Sequence, residues 1–219
     1  MTSSTWRWAV GSWRKIAGPA AFALLSCSHA PAPAPATAPA AAVQAPAKAD
    51  PVASFELVRA VLQSPRCVNC HPAGDRPLQG DDGHVHLQFV QRGPEGRGAT
   101  GLACATCHAR ANPPDSYGAH MPPGVSAGWR LPPPQQKMVF AGLDSRRLCE
   151  QLKDPQRNGG KTLAALIHHV AEDPLVLWGW SPGYGRKPVT VPHAEFMRAF
   201  ETWADAGGPC APATAALAR

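Results

Sequence analysis

Cys67-Val68-Asn69-Cys70-His71 and Cys104-Ala105-Thr106-Cys107-His108 are the two stretches on which the reading of this 219-residue chain turns. Each places two thiols three positions apart, with a histidine directly behind the second. C-x-x-C-H is the attachment pattern of a c-type haem. On a turn of helix the two thiols reach the two vinyl groups along one porphyrin edge, and the histidine stands beneath the iron as its proximal ligand. The pattern therefore assigns two covalently attached c-type haems. One is held by Cys67, Cys70 and His71, the other by Cys104, Cys107 and His108. Two other uses of paired cysteines compete. A thioredoxin-like centre would need a βαβ pattern, which is absent, and would leave each histidine unexplained. A zinc site would draw Cys67, Cys70, Cys104 and Cys107 together as four thiolates. The motifs stand roughly 40 residues apart, where a separate domain for each would need about 80 or more. Both haems are therefore expected to share one core.

Upstream of the motifs, residues 1–27 read as an export signal. Arg7, Arg14 and Lys15 form a basic start, and Ile16 to Leu25 form an apolar run broken by Gly18-Pro19. That run is far shorter than the roughly 20 residues a membrane span requires, and has the size of a signal-peptide core. It ends in Leu24-Leu25-Ser26-Cys27, which resembles a lipobox, so Cys27 is the expected lipidation site. Cleavage after Ser28-His29-Ala30 is the alternative and would leave a soluble secreted protein. Either route leads out of the cytoplasm, with a membrane-anchored lipoprotein of the bacterial periplasm as the leading expectation. Residues 28–51 are a Pro/Ala-rich linker that favours extended polyproline II at about 3.1 Å per residue, a stalk of roughly 60 Å. The folded part is expected over 52–212, with a short tail over 213–219.

The composition agrees with a loop-rich helical domain. There are 25 prolines and 20 glycines, and only 16 % of residues are charged. The formal charge is +6, but Arg7, Arg14 and Lys15 supply half of it, which argues against a nucleic-acid partner. The expected fold class is mainly α with long Pro/Gly-rich loops, a cytochrome c-like dihaem domain. Ser54 is read as the cap of a first helix that aligns Phe55, Val58 and Leu62. Further helices are expected over 144–153, 161–171 and 192–206, the last aligning Phe196, Phe200 and Trp203 and closing at Gly207. Residues 112–136 are too rich in proline for helix. Trp178-Gly179-Trp180 reads as a haem wall.

Beyond the haem motifs, the run from Cys67 to Cys210 is similar to a family of small exported proteins labelled isoquinoline 1-oxidoreductase subunits. The pieces that carry the likeness are CVNCHPAGDRPLQGDDG, GLACATCH, HMPPG, LCEQLKDPQRNGG and LVLWGW. The resemblance implies service to a molybdenum hydroxylase of N-heterocycles. Nothing in the chain would bind a molybdopterin, so it implies the haem subunit only.

The distal ligands are open at this stage. Met121, in His120-Met121-Pro122-Pro123-Gly124, resembles the Met-Pro loop of many cytochromes c and is the first candidate, with His120 beside it. For the His71 haem, His86 and His84 are the candidates. His169, on the flank of the helix over 161–171, is a further one. Cys149 and Cys210 remain, an even pair in an oxidising compartment, and are expected to form a disulfide. No nucleophile–base set or carboxylate pair suggests catalysis, so no catalytic residue is assigned. The expected function is electron transfer between a dehydrogenase and a downstream acceptor, its redox-partner proteins. The alternative is a haem enzyme or sensor, a peroxidase or gas binder, with one iron position open.

Overall fold

The computed structural model describes residues 49–212. The export segment, Cys27, the linker up to residue 48 and the tail from residue 213 lie outside the described residues.

The first helix, α1 (Pro51–Leu62), begins where Asp50 accepts a hydrogen bond from the Val52 N–H at 2.9 Å, with Pro51 at the first helical position. That start corrects the expectation of a cap at Ser54. An aspartate before proline offers both an acceptor for the free N–H groups and a fixed φ, and it wins over a serine four residues on. A short second helix, α2 (Pro65–Val68), follows Ser64 and carries Cys67.

Three helices then complete the apolar centre. They are α3 (Ser145–Lys153), capped by Asp144, α4 (Leu163–Glu172), capped by Thr162, and α6 (His193–Asp205). Between the last two lies α5 (Pro174–Leu177), which opens at once behind Asp173. Pro174 follows the end of α4. It also starts the next, because proline suits a first turn as well as it spoils an interior.

Helix α1 packs against α6 and α3, and α4 packs against α6. Val58, Leu148, Phe200 and Trp203 are fully buried at these contacts. On α6 the aromatic rings form a ladder, with Phe196 5.7 Å from Phe200 and Phe200 5.4 Å from Trp203, which in turn meets Phe55 of α1 at 5.0 Å. Cys67 and Val68 of the first motif pack against this cluster. No residue of the second motif belongs to it.

The second motif is held by loops and two small hairpins instead. In the first hairpin, β1 (Leu78–Gln79) pairs antiparallel with β2 (His84–Val85). In the second, β3 (Gly98–Ala99) pairs with β4 (Leu102–Ala103), immediately before Cys104. Strands this short have little stability of their own. Buried arginines fix the loops. Arg66 donates to the Gly80 carbonyl and to Asp81, both at 2.7 Å. Arg92, 1 % exposed, donates to the Gly74 carbonyl at 3.0 Å and to the Pro132 carbonyl.

The chain is thus mainly helical with long loops. Cys149 of α3 is bonded to Cys210, closing a loop with a sequence separation of 61. On chain-entropy grounds a loop of that size contributes about 4 kcal/mol. The double substitution Cys149→Ser with Cys210→Ser should therefore lower the unfolding free energy by about 2–4 kcal/mol in denaturant titrations. A loss under about 0.5 kcal/mol, the size of an ordinary surface change, would contradict it.

Candidate haem-binding site

The first motif runs off α2 into a turn. The backbone N–H of His71 reaches the Cys67 and Val68 carbonyls, and this winds Cys67, Cys70 and His71 around one short axis. The imidazole stacks on Phe140 at 3.9 Å. Its Nδ1–H donates to the Met138 carbonyl at 2.7 Å. A carbonyl can only accept, so the proton is on Nδ1 and the lone pair is on Nε2.

Cys67, Cys70 and His71 open on a cavity of about 520 Å³. That lies inside the roughly 300–1,000 Å³ range of cofactor and ligand sites. Its apolar walls come from Leu62, Phe140, Leu166, Val170 and Trp180 among others, and Arg97, Arg130 and Lys161 contribute positive charge. The cavity therefore offers apolar surface for a flat macrocycle and cations for its carboxylates.

Burial pushes the Cys67 thiol up to about 11 and the Cys70 thiol up to about 12. Redox-active C-x-x-C pairs lower the pKa of the attacking thiol, so the thioredoxin-like use of these cysteines meets an unfavourable environment. The four motif cysteines also do not converge. Among the described residues, no group of three or more His, Cys, Asp or Glu is placed to hold a metal ion, so the four-thiolate zinc arrangement is not formed. Burial likewise holds His71 neutral, with its pKa lowered to about 4.

The second motif repeats the pattern on a different support. Cys104–Thr106 form a turn of 3-10 helix, and the His108 N–H returns to the Cys104 carbonyl at 3.0 Å. The imidazole stacks on Trp129 at 4.6 Å with the planes 6° apart. Nδ1–H of His108 donates to the Pro123 carbonyl at 2.7 Å, again leaving Nε2 free. Burial lowers the pKa of this imidazole as well. Trp129 meets Trp178 edge-on at 5.0 Å, and Trp178 lies under the Arg66 guanidinium at 5.7 Å. Side-chain contacts thus run from His108 to the residue beside Cys67.

The other candidates fall in three places. His86 follows the first hairpin and stands beside His108, ring centres 6.4 Å apart. The sequence expectation paired it with His71; the hairpin, anchored by Arg66 on Gly80 and Asp81, carries it to the second motif instead. His84 is exposed and its Nδ1 lies 2.6 Å from Asp82. His169 lines the cavity that His71 opens on, with Nδ1 at 3.4 Å from Asp173 Oδ2.

Met121 lines a small separate pocket with Asn112, Tyr184 and Arg186. The His120 N–H donates to the Tyr184 carbonyl at 3.1 Å. Both residues are on the exposed surface. The His120–Gly124 segment meets the second motif through the Pro123 carbonyl.

Asn112 and Trp129 were missed in the sequence reading. Asn112 accepts from the Gly124 N–H and from Trp178 Nε1, both at 3.2 Å, and so holds the Pro123 turn against the tryptophan wall. A polar residue among prolines gives no periodic signal by which to find it.

Comparison with protein-family models, with curated proteins and with solved structures finds no match.

Gly124 shows how tightly the second site is built. A Cβ there would stand 2.2 Å from the Ala111 carbonyl oxygen and 2.5 Å from that of Ala109. Gly124→Ala should therefore displace the Pro123 carbonyl and destabilise the fold by about 1–3 kcal/mol. Gly74→Ala, whose Cβ would meet nothing nearer than 4.0 Å, should cost at most about 0.5 kcal/mol. Denaturant titration of both variants checks this, and equal losses would contradict it.

Proposed function

We propose that residues 49–212 form a cytochrome c-like dihaem domain that carries electrons, and that the chain works outside the cytoplasm, tethered by lipid at Cys27. The observation that carries this reading is the same at both motifs. Each motif histidine gives its Nδ1–H to a main-chain carbonyl and keeps Nε2 for a ligand. Metal-bound histidines are oriented in this way, and the two histidines use unrelated segments to achieve it.

A c-type haem bound at either site supplies a one-electron iron couple. The residues supply the rest. Cys67 with Cys70, and Cys104 with Cys107, fix the macrocycle edge through thioether bonds. Phe140 and Trp129 hold the two imidazoles flat. Arg97, Arg130 and Lys161 line the cavity and would offer cations to the carboxylates of a haem bound there. No nucleophile or general base is needed, because an electron carrier breaks no substrate bond.

The partners in this reading are a periplasmic or membrane dehydrogenase and a downstream acceptor. The likeness to isoquinoline 1-oxidoreductase subunits extends the proposal to a molybdenum hydroxylase of N-heterocycles as the donor.

Ferric and ferrous spectra of the mature protein, with and without carbon monoxide, test the carrier reading. Two low-spin haems inert to carbon monoxide are expected. A high-spin haem, or one that binds the gas, would favour a peroxidase or gas sensor instead. Replacing Cys67 and Cys70 by Ala should leave one haem per chain in the pyridine haemochrome assay, as should replacing Cys104 and Cys107. Two haems retained in either variant would contradict the assignment.

A further inference from the structure

We infer that each iron is held between two histidines, His71 with His169 and His108 with His86, and that Met121 and His120 ligate neither. This rests on the dihaem reading and deepens it.

For the second site the geometry is direct. Two imidazoles bound from opposite sides to one metal, at about 2.0–2.1 Å each, have ring centres roughly 6.3–6.5 Å apart. His86 and His108 stand 6.4 Å apart, with ring planes inclined at 61°. They are too far apart to touch as a stacked pair, and the separation matches what one metal bonded to both rings would require.

The hairpin is built to hold His86 there. Its backbone N–H donates to the Pro77 carbonyl at 3.0 Å, and its carbonyl accepts from Arg76 at 2.8 Å. The backbone is thus pinned on both sides. The side chain meets Gln88, while its buried Nδ1 has no hydrogen-bond partner among the described residues. A buried imidazole nitrogen left unpaired costs free energy unless a ligand takes that nitrogen.

For the first site the argument is the wall of the cavity. Leu166, His169, Val170 and Asp173 are spaced i, i+3, i+4 and i+7 along α4 and its C-cap, one helical stripe, and all four line the cavity that His71 opens on. Asp173 Oδ2 lies 3.4 Å from Nδ1 of His169, the ring nitrogen at which His71 donates to the Met138 carbonyl. A carboxylate behind an imidazole fixes its orientation and strengthens it as a ligand. Arg130 in turn lies 3.5 Å from Asp173. Met138 also lines the cavity, and its carbonyl accepts from Nδ1 of His71.

The test uses the full mature protein with its haems attached. Near-infrared magnetic circular dichroism of the ferric protein separates bis-imidazole from imidazole–thioether ligation, and haem content is measured alongside. The unmodified protein should show bis-imidazole signals only.

His169→Ala and His86→Ala should each turn one haem high-spin and reactive to carbon monoxide while both haems stay attached. Met121→Ala should leave every signal unchanged. His169→Met should restore a low-spin haem with a thioether band and a higher reduction potential, because methionine ligation raises it.

A thioether signal in the unmodified protein would overturn the inference. So would two low-spin haems in either histidine variant, or an iron opened by Met121→Ala alone. If a variant loses haem, the spectrum of the unmodified protein decides by itself. Fewer than two haems per unmodified chain would instead overturn the dihaem reading beneath it.

Discussion

A hydrogen bond from an imidazole Nδ1 to a main-chain carbonyl is the interaction on which the two sites depend. At His71 the carbonyl is that of Met138, and at His108 that of Pro123. Each bond fixes a tautomer, aims a lone pair, and ties a C-x-x-C-H turn to a segment distant in sequence. The surrounding structure can be read as what holds those two carbonyls still. Phe140, two residues beyond Met138, is clamped by its N–H on the His71 carbonyl at 2.9 Å, and its own carbonyl accepts from Gln63 at 2.7 Å. Pro123 is fixed through Gly124 and Asn112.

The two sites differ in what surrounds them. The first opens inside the helical layer, where α4 and α6 would otherwise close on α2, and its cavity interrupts a continuous aromatic and aliphatic core. On the proposed reading a haem completes that core, with its faces taking the place of side chains the chain lacks. The second depends on arginine-pinned loops and on glycines. Gly93 and Gly98, for example, have positive φ and approach so closely that a Cβ on Gly93 would stand 1.9 Å from the Gly98 carbonyl oxygen. Loops fixed by buried guanidinium groups can be rigid without a large apolar core, provided each donor finds a carbonyl.

The helical layer was largely legible in the sequence. Alternating apolar positions and plain stop signals marked α3, α4 and α6 to within two residues at each end. Local chemistry was read less well where two signals lay close together: Asp50-Pro51 outcompeted Ser54, and Pro174 both closed one helix and opened the next. The two C-x-x-C-H motifs stood out because a fixed residue spacing is itself a sequence signal. The segments opposite them did not, because what brings them there is tertiary. The Asp81-Asp82-Gly83-His84-Val85-His86 stretch reads as a loop with two histidines. Only the ties from Arg66 and Asn69 to Gly80 decide that His86 meets His108 rather than His71. His169 was placed on the flank of its helix, and in the fold Leu166, His169 and Val170 share a stripe that faces the cavity. The Met121-Pro122-Pro123 sequence pointed to a segment that meets the second motif through the Pro123 carbonyl.

The central claim is that both C-x-x-C-H motifs carry covalently bound haem. Intact mass spectrometry of the mature protein under denaturing conditions tests it most directly, since thioether-linked haem survives where a bound metal or an associated cofactor would not. The account predicts a mass raised above that of the polypeptide by two haems, with one lost when either cysteine pair is replaced by alanine. A mass equal to the polypeptide alone, in protein matured by a host that attaches haem to other C-x-x-C-H chains, would contradict it.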